Sequence, residues 1–207
     1  MLEACSLTCN KRDRILFEGL SLLVKAGELL YLRGPNGAGK TSLLRILTGL
    51  SAPESGSVKF DGCDIALQHQ AFHQQLIYLG HKGGTNSSLS AFDNLTFWLA
   101  QHGISRGSNE IYDVLMQMGL VGLEDVLVRH LSAGQQRRVA LARLWLKPAK
   151  VWILDEPFTA LDTTGIHLIE SAMKSHVEKG GIVVTTSHQS LSSCAGEHRI
   201  YDLEYRF

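Results

Sequence analysis

Cysteine, proline and aromatic residues are scarce in this chain, and the scarce types are scattered. Four cysteines, Cys5, Cys9, Cys63 and Cys194, stand among 207 residues with no C-x-x-C pair. That argues against a disulfide framework or a zinc site and for a reducing, cytosolic setting. Cys5 and Cys9 fall at strand-periodic spacing, so both are expected on one face of a strand as small buried hydrophobes. An excess of either charge is also missing, because 20 Lys+Arg balance 20 Asp+Glu. A domain that lives on nucleic acid usually carries a basic surplus, so no nucleic-acid partner is expected. Long apolar runs are absent too. The longest, Leu20 to Leu32, is broken by Lys25 and Glu28, and nothing reads as a membrane span or as a secretory signal. A membrane would be reached through a partner. Hydrophobic residues at 44% against 19% charged exclude a disordered or collagen-like chain.

What is present is a change of period along the chain. The first residues alternate as strands over Leu2–Thr8, Ile15–Val24 and Glu28–Leu32, with turn chemistry between them. An amphipathic helix is predicted over Lys40–Leu50, a strand over Ser57–Phe60, a helix over Ile65–Gln75 and a short strand over Leu76–Leu79. From Lys82 to Lys147 the apolar residues recur at the helical period. Val151–Leu154 and Ile182–Thr186 are continuous apolar runs of the kind that buried parallel strands show, separated by a predicted helix over Asp162–Glu178. A tail strand is expected near Arg199–Leu203. The pattern describes one domain of 1–207: an α/β core from 1–81 and 148–207, with a helical insert at 82–147.

Two segments carry chemistry. Gly34-Pro35-Asn36-Gly37-Ala38-Gly39-Lys40-Thr41 fits G-x4-G-K-[ST], and Ser42 continues it. Glycines let such a loop turn its N–H groups inward around a phosphate, and the following helix aims its positive end at the anion. Lys40 would reach the β- and γ-phosphates of a nucleotide, and the Thr41 hydroxyl would ligate magnesium. The second segment is the apolar strand Val151–Leu154, which ends in Asp155 and Glu156. Strand C-termini in an open parallel sheet face the ligand crevice. Asp155 would support the magnesium there, and Glu156 would reach an attacking water.

Further along, Leu131-Ser132-Ala133-Gly134-Gln135, followed by Gln136-Arg137-Arg138, resembles the signature motif of ATP-binding cassette (ABC) ATPases. Asp155-Glu156-Pro157 with Thr159-Ala160-Leu161-Asp162 is similar to that family's Walker B and D-loop pair. Thr185-Thr186-Ser187-His188 is similar to its switch-histidine loop. The resemblance runs in order over essentially the whole chain. It implies a P-loop NTPase fold, with a RecA-like core, an antiparallel β subdomain and an inserted helical subdomain. It also implies ATP and Mg2+ as ligands, and ATP hydrolysis in a head-to-tail homodimer. In such a dimer the turn Leu131–Gln135 would close on the partner's γ-phosphate, a role suited to amides at a helix N-terminus. By the same resemblance Lys40, Glu156 and His188 are the catalytic residues. Glu156 polarises water, His188 holds water and γ-phosphate in line, and Asp162 works across the interface.

Two positions depart from the family pattern. The usual glutamine that ends the strand before the insert is replaced by His81, whose charge can change between pH 5 and 8. No tyrosine stands near Lys11-Arg12 to stack on adenine; Arg12 is either a stacking guanidinium or a solvated turn charge. With Gly80-His81, the run Leu131–Leu146 and the segment Trp152–Leu161, the chain resembles the ATPase subunits of bacterial cytochrome c maturation, often called the heme exporter. That resemblance implies a peripheral subunit on the cytoplasmic face of the inner membrane. It implies integral partners of the CcmB, CcmC and CcmD type, and heme delivery to a periplasmic chaperone. The alternatives are the ATPase of a transporter for another solute and a soluble ABC protein. None of the nine histidines is placed as a heme ligand, so no direct heme binding is expected. His69 and His73 have metal-ligand spacing but read as surface polar residues. Leu89, Phe92, Leu95, Phe97 and Trp98 read mostly as core of the insert.

Overall fold

A computed structural model describes residues 1–11 and 14–204. Arg12, the position weighed above for adenine stacking, lies outside the described residues. In chain order the elements are β1 (Leu2–Lys11), β2 (Arg14–Val24), β3 (Glu28–Arg33), α1 (Lys40–Leu47), β4 (Ser55–Phe60), β5 (Cys63–Asp64), α2 (His69–Gln74) and β6 (Leu76–Leu79). Then follow α3 (Ala91–Gln101), α4 (Ser108–Gln117), α5 (Ala133–Leu141), α6 (Arg143–Leu146), β7 (Val151–Leu154), α7 (Thr163–Glu178), β8 (Ile182–Thr186) and β9 (Arg199–Asp202). The chain divides into two compact units.

The first unit holds Met1–Tyr78, Ala149–Glu156 and the chain from Glu170 onward. It contains an antiparallel sheet in the order β2-β1-β4-β5 and a second sheet in the order β6-β7-β8-β3-β9. In the second sheet β3 runs parallel to β8 and β9, and β7 parallel to β8. Every residue of β7 and β8 is buried, because a strand covered on both faces must be apolar at consecutive positions. Leu2, Leu7 and Val24 of the antiparallel sheet share a core with Leu43, Leu44 and Leu47 of α1. Each such burial contributes roughly 1.5–3 kcal/mol.

Within this unit two local expectations change. The register of β1 shifts between Ala4 and Leu7, around Ser6 with φ 47. This bulge flips the alternation, so that Leu2 and Ala4 are buried before it and Leu7 after it. Cys9 therefore packs against the core, whereas Cys5 has the opposite parity. The two cysteines do not share a face, and both are half-buried. The helix expected over Ile65–Gln75 is confined to α2, because Asp64 forms a competing turn. Its Oδ1 accepts the Ala66 N–H at 2.8 Å, and its carbonyl accepts from Leu67 and Gln68, the local bonding by which Asp opposes helix entry. Within α2 the His69 and His73 rings stack at 4.1 Å, and His73 Nε2 lies 2.8 Å from the Thr48 carbonyl.

The second unit holds Leu79–Pro148 and Pro157–Ile169. Its core joins Leu95 and Leu99 of α3, Leu115 of α4 and Val139 of α5. Helix begins at Ala91 rather than soon after Lys82. Asn94, 4% exposed, donates through Nδ2 to the carbonyls of Asn86, Leu89 and Ser90, and its Oδ1 accepts the Asn86 N–H. Ser90 then caps α3 by accepting from the Asp93 N–H, the bond that defines an N-cap. Of the apolar residues singled out above, Leu95 is fully buried, Leu89, Phe92 and Trp98 are half-buried, and Phe97 is 58% exposed. Arg143 is buried over the Trp98 ring and donates to the carbonyls of Gly83 and Gly84 at 2.9 and 2.8 Å. Burial pulls its guanidinium down to about 10.

In the first unit the His176 ring stacks on Trp152 at 3.9 Å and 5°. Burial lowers the pKa of His176, with Lys179 adding to the effect and a bond to the Lys150 carbonyl opposing it. The imidazole is thus neutral in the fold at pH values where an unfolded chain, titrating near the ordinary value of about 6.5, is already protonated. Between those two pKa values the unfolded state binds the extra proton, so stability falls as the pH drops below about 6.5. The urea midpoint followed by tryptophan fluorescence is expected to decline from pH 7 to pH 5. His176→Phe, which keeps the stacked ring, should make that decline shallower; an unchanged slope would remove His176 from the acid response.

Candidate active site

The loop from Gly34 to Gly39 leaves the C-terminal end of β3 and enters α1. Gly34 has φ 155, and a Cβ there would sit 2.4 Å from the Leu203 carbonyl oxygen, so no side chain fits without moving the tail. Helix α1 starts after Gly39 with no side-chain cap and no acid in its first turn. Its leading amides and its positive end are therefore open to an anion. Lys40, 8% exposed, folds over the loop and donates to the carbonyls of Gly34 and Pro35 at 2.6 and 3.1 Å. Beside it lies an open depression of about 280 Å3 lined by Lys11, Leu16, Asn36, Gly37, Gly39, Lys40, Thr41, Ser42 and Glu156. Ala38 is buried beneath the loop and Pro35 is exposed on it.

Asp155 and Glu156 follow β7. Asp155 is 2% exposed; its Oδ2 accepts from Thr41 Oγ1 at 2.8 Å and its Oδ1 from Thr186 Oγ1 at 2.9 Å. Glu156 has φ 51, a left-handed conformation that costs a non-glycine residue on the order of 1 kcal/mol and that concentrates at functional sites. Its N–H is held by Thr186 Oγ1 at 2.9 Å. Its carboxylate lies 2.9 Å from His188 Nε2, with the glutamate side chain 16% and the histidine side chain 58% exposed. The first unit thus assembles the loop, its lysine and threonine, the acid pair and His188 around one depression. Hydroxyl and carboxylate oxygens at the Thr41–Asp155 edge are hard donors of the kind magnesium takes, in a site that supplies few protein ligands.

The remaining sequence-predicted residues belong to the second unit. Leu131 is buried, and Ser132 and Ala133 are exposed at the start of α5. Ser132 Oγ accepts the Gln135 N–H at 3.2 Å, and Gln135 Oε1 accepts the Ser132 N–H at 2.8 Å, a reciprocal capping box. A Cβ on Gly134 would lie 2.6 Å from the Ala160 carbonyl, so glycine lets the signature turn touch the segment before Asp162. Asp162 accepts from the Gly165 N–H at 2.9 Å and from Arg138 at 2.6 Å. The Gly165 amide first, then the Arg138 charge, holds its carboxyl below the usual range. His81 is exposed, and Arg137 donates to the carbonyls of Gly80 and His81.

Sequence reasoning missed Thr186 as a second partner of Asp155, and it missed Leu16 and Leu203. The parallel register accounts for Thr186: Leu154 pairs with Thr185, which puts the next residues, Asp155 and Thr186, side by side, a pairing that no local pattern in the sequence announces. Leu203 likewise had no local signal, because its contact with Gly34 joins distant parts of the chain.

With the fold and this geometry in hand, the profile of the ABC transporter family matches residues 17–159. The chain belongs to that family as an ATP-binding, ATP-hydrolysing cassette. It is 50% identical over 191 residues to the cytochrome c biogenesis ATP-binding export protein CcmA of Vibrio vulnificus (strain YJ016), covering 92% of this chain and 93% of that one. It is 48% identical over 192 residues to CcmA of Escherichia coli (strain K12), covering 93% and 91%. Among solved structures, an ABC transporter ATP-binding protein of Pyrococcus furiosus superposes with a TM-score of 0.82 at 27% identity, over 98% of this chain and 96% of that one. A cassette solved as a dimer with ADP and Pi shares the fold, with a TM-score of 0.83 at 23% identity over 100% and 97% of the two chains.

Gly34→Ala places a methyl group against the Leu203 carbonyl. It is expected to weaken binding of a fluorescent ATP analogue at least about tenfold and to cost roughly 1–3 kcal/mol in urea unfolding. Unchanged affinity and stability would mean that the loop and tail yield freely.

Proposed function

We propose that this chain is the ATP-hydrolysing subunit of a membrane ABC complex for cytochrome c biogenesis. It would work as a homodimer on the cytoplasmic face of a bacterial inner membrane, with integral partners of the CcmB, CcmC and CcmD type. The observation that carries the enzymatic half is the Glu156–His188 contact at the mouth of the phosphate-loop depression. A carboxylate held there can take a proton from water, and an imidazole can orient that water or a phosphate oxygen. The near-50% identity with CcmA along more than nine-tenths of both chains supports the cytochrome c half. Among the described residues no helix is long and apolar enough to cross a membrane, which fits a subunit that reaches the bilayer through partners.

In the proposed mechanism the amides of Gly34–Gly39 and the first turn of α1 receive the phosphates, and Lys40 leaves its carbonyl partners to offset their charge. Thr41 and Asp155 would hold magnesium, which when bound with ATP would add positive charge beside the phosphates. Glu156 draws the proton from the attacking water, and His188 keeps water and γ-phosphate in line. Ser132 and the amides near Gly134 present a second anion site to the partner subunit's nucleotide, with Asp162 at the junction. Positioning and charge stabilisation supply most of the acceleration in such phosphoryl transfer. His81 takes the place from which a Gln would serve this family and offers a water or phosphate one hydrogen bond. The transported species in this reading is heme, as substrate, with no binding site for it on this subunit.

Glu156→Gln is expected to lower turnover about 100-fold or more while ATP still binds and the closed dimer accumulates on a sizing column. Tagged in that form and extracted gently from native membranes with ATP, the chain should bring down CcmB- and CcmC-like membrane proteins. A different permease would overturn the cytochrome c reading and keep the ATPase. Purely soluble companions would overturn the transporter reading, and full turnover in the variant would remove Glu156 from its role.

A further inference from the structure

His188 is an exposed residue whose side chain has 58% of its surface in solvent, so packing around the imidazole does little to aim it. Apart from the Glu156 carboxylate 2.9 Å away, its aim comes from the backbone that carries it. That backbone is tied down at successive points within the first unit. Thr186, immediately before the loop, is bound to Asp155 and to the Glu156 N–H. At the far end Glu170 of α7, 1% exposed, accepts from the Ser192 N–H at 2.8 Å and from the Ser192 hydroxyl. Between these anchors the Gln189 N–H donates to Ser187 Oγ at 3.0 Å, a turn closed over His188.

The middle anchor is Tyr31, in the body of β3. Its hydroxyl lies 3.1 Å from the Ser187 carbonyl and 3.1 Å from the Gln189 carbonyl. One phenolic proton is thus shared between the two carbonyls that flank His188. Tyr31 is 4% exposed, and burial pushes its pKa up, so the hydroxyl keeps its proton and remains a donor at neutral pH. The ring alone would fill the space beside β8; among the described residues the hydroxyl is bonded to these two carbonyls. Both neighbours of a solvent-facing histidine are therefore fixed from underneath by one polar atom.

The geometry points to Tyr31 as a positioning residue for ATP hydrolysis, its hydroxyl holding the Ser187 and Gln189 carbonyls so that His188 is presented to Glu156 and to the γ-phosphate. This deepens the proposed function and rests on the role given there to His188. Tyr31 touches no nucleotide in this scheme and acts only through the loop. Removing the hydroxyl should leave the ATP-binding loop intact while loosening the aim of His188. The signature is a loss in kcat without a matching change in KM, because the aim matters in the transition state rather than in ground-state binding.

The test compares Tyr31→Phe, which keeps the ring, with His188→Ala, each in the full-length chain purified from membranes by a tag. Tyr31→Phe is expected to lower kcat about fivefold, the order of one hydrogen bond, with KM for ATP within about twofold of the parent and a melting temperature lower by only about 2–4 °C. Amide exchange should rise in residues 187–190 and remain unchanged in β3. His188→Ala should lose nearly all turnover. Parental kcat in Tyr31→Phe alongside a dead His188→Ala would overturn the positioning role. So would a larger loss of melting temperature together with lost nucleotide affinity in Tyr31→Phe, which would make the hydroxyl merely structural. Near-parental turnover in His188→Ala would instead overturn the reading of His188 on which this inference stands.

Discussion

The constraint on which the site depends is the burial of one carboxylate. Asp155 keeps 2% of its surface in solvent, and a charge so placed costs several kcal/mol unless hydrogen-bonded groups surround it. Two threonine hydroxyls are aimed at it, one from the first turn of α1 and one from the end of β8. Satisfying a single group therefore locks the phosphate loop, the acid strand and the histidine strand into one register. Thr186 also accepts the Glu156 N–H, which holds Glu156 in a conformation that a non-glycine residue rarely adopts alone. The strained glutamate and the buried aspartate are in this sense two consequences of the same packing.

The N-termini of α1 and α5 are built differently. At α5 the reciprocal bonds of Ser132 and Gln135 already occupy two backbone donors. At α1 no side chain caps the helix, and the nearest charge is the positive Lys40, folded onto loop carbonyls. A terminus whose amides lack side-chain partners is the stronger anion site, so of the two α1 is the one preformed for an anion. The capped α5 has a fixed turn geometry that a second phosphate contact could use.

Buried cations do in the helical unit what the buried aspartate does in the sheet unit. Arg137 and Arg143 are 7% and 5% exposed, and each reaches backbone carbonyls in the stretch Gly80–Gly84 or at Pro157. The guanidinium carries several donors in a fixed fork, which suits it to pin irregular backbone. The segment that begins at His81 is therefore held in a defined path without regular secondary structure.

The phosphate loop and the Asp155–Glu156 pair were legible in the residues because their chemistry is contiguous. A loop that wraps a phosphate needs its glycines and lysine in one short string, and a strand buried on both faces announces itself as an apolar run. The signature turn, Asp162 and His188 became legible only through resemblance, since a serine cap, a surface acid and an exposed histidine look ordinary alone. Strand order, the bulge at Ser6, the contact of Leu203 with Gly34, the second hydroxyl on Asp155 and the reach of Tyr31 beneath His188 were not legible. Each is a through-space consequence of which strands pair and in what register. By itself the sequence determined backbone propensities, buried faces and contiguous binding loops, because these depend on neighbours along the chain. Only the tertiary structure decided which distant hydroxyls and carbonyls meet, because buried polar groups must find partners and packing chooses which ones are near.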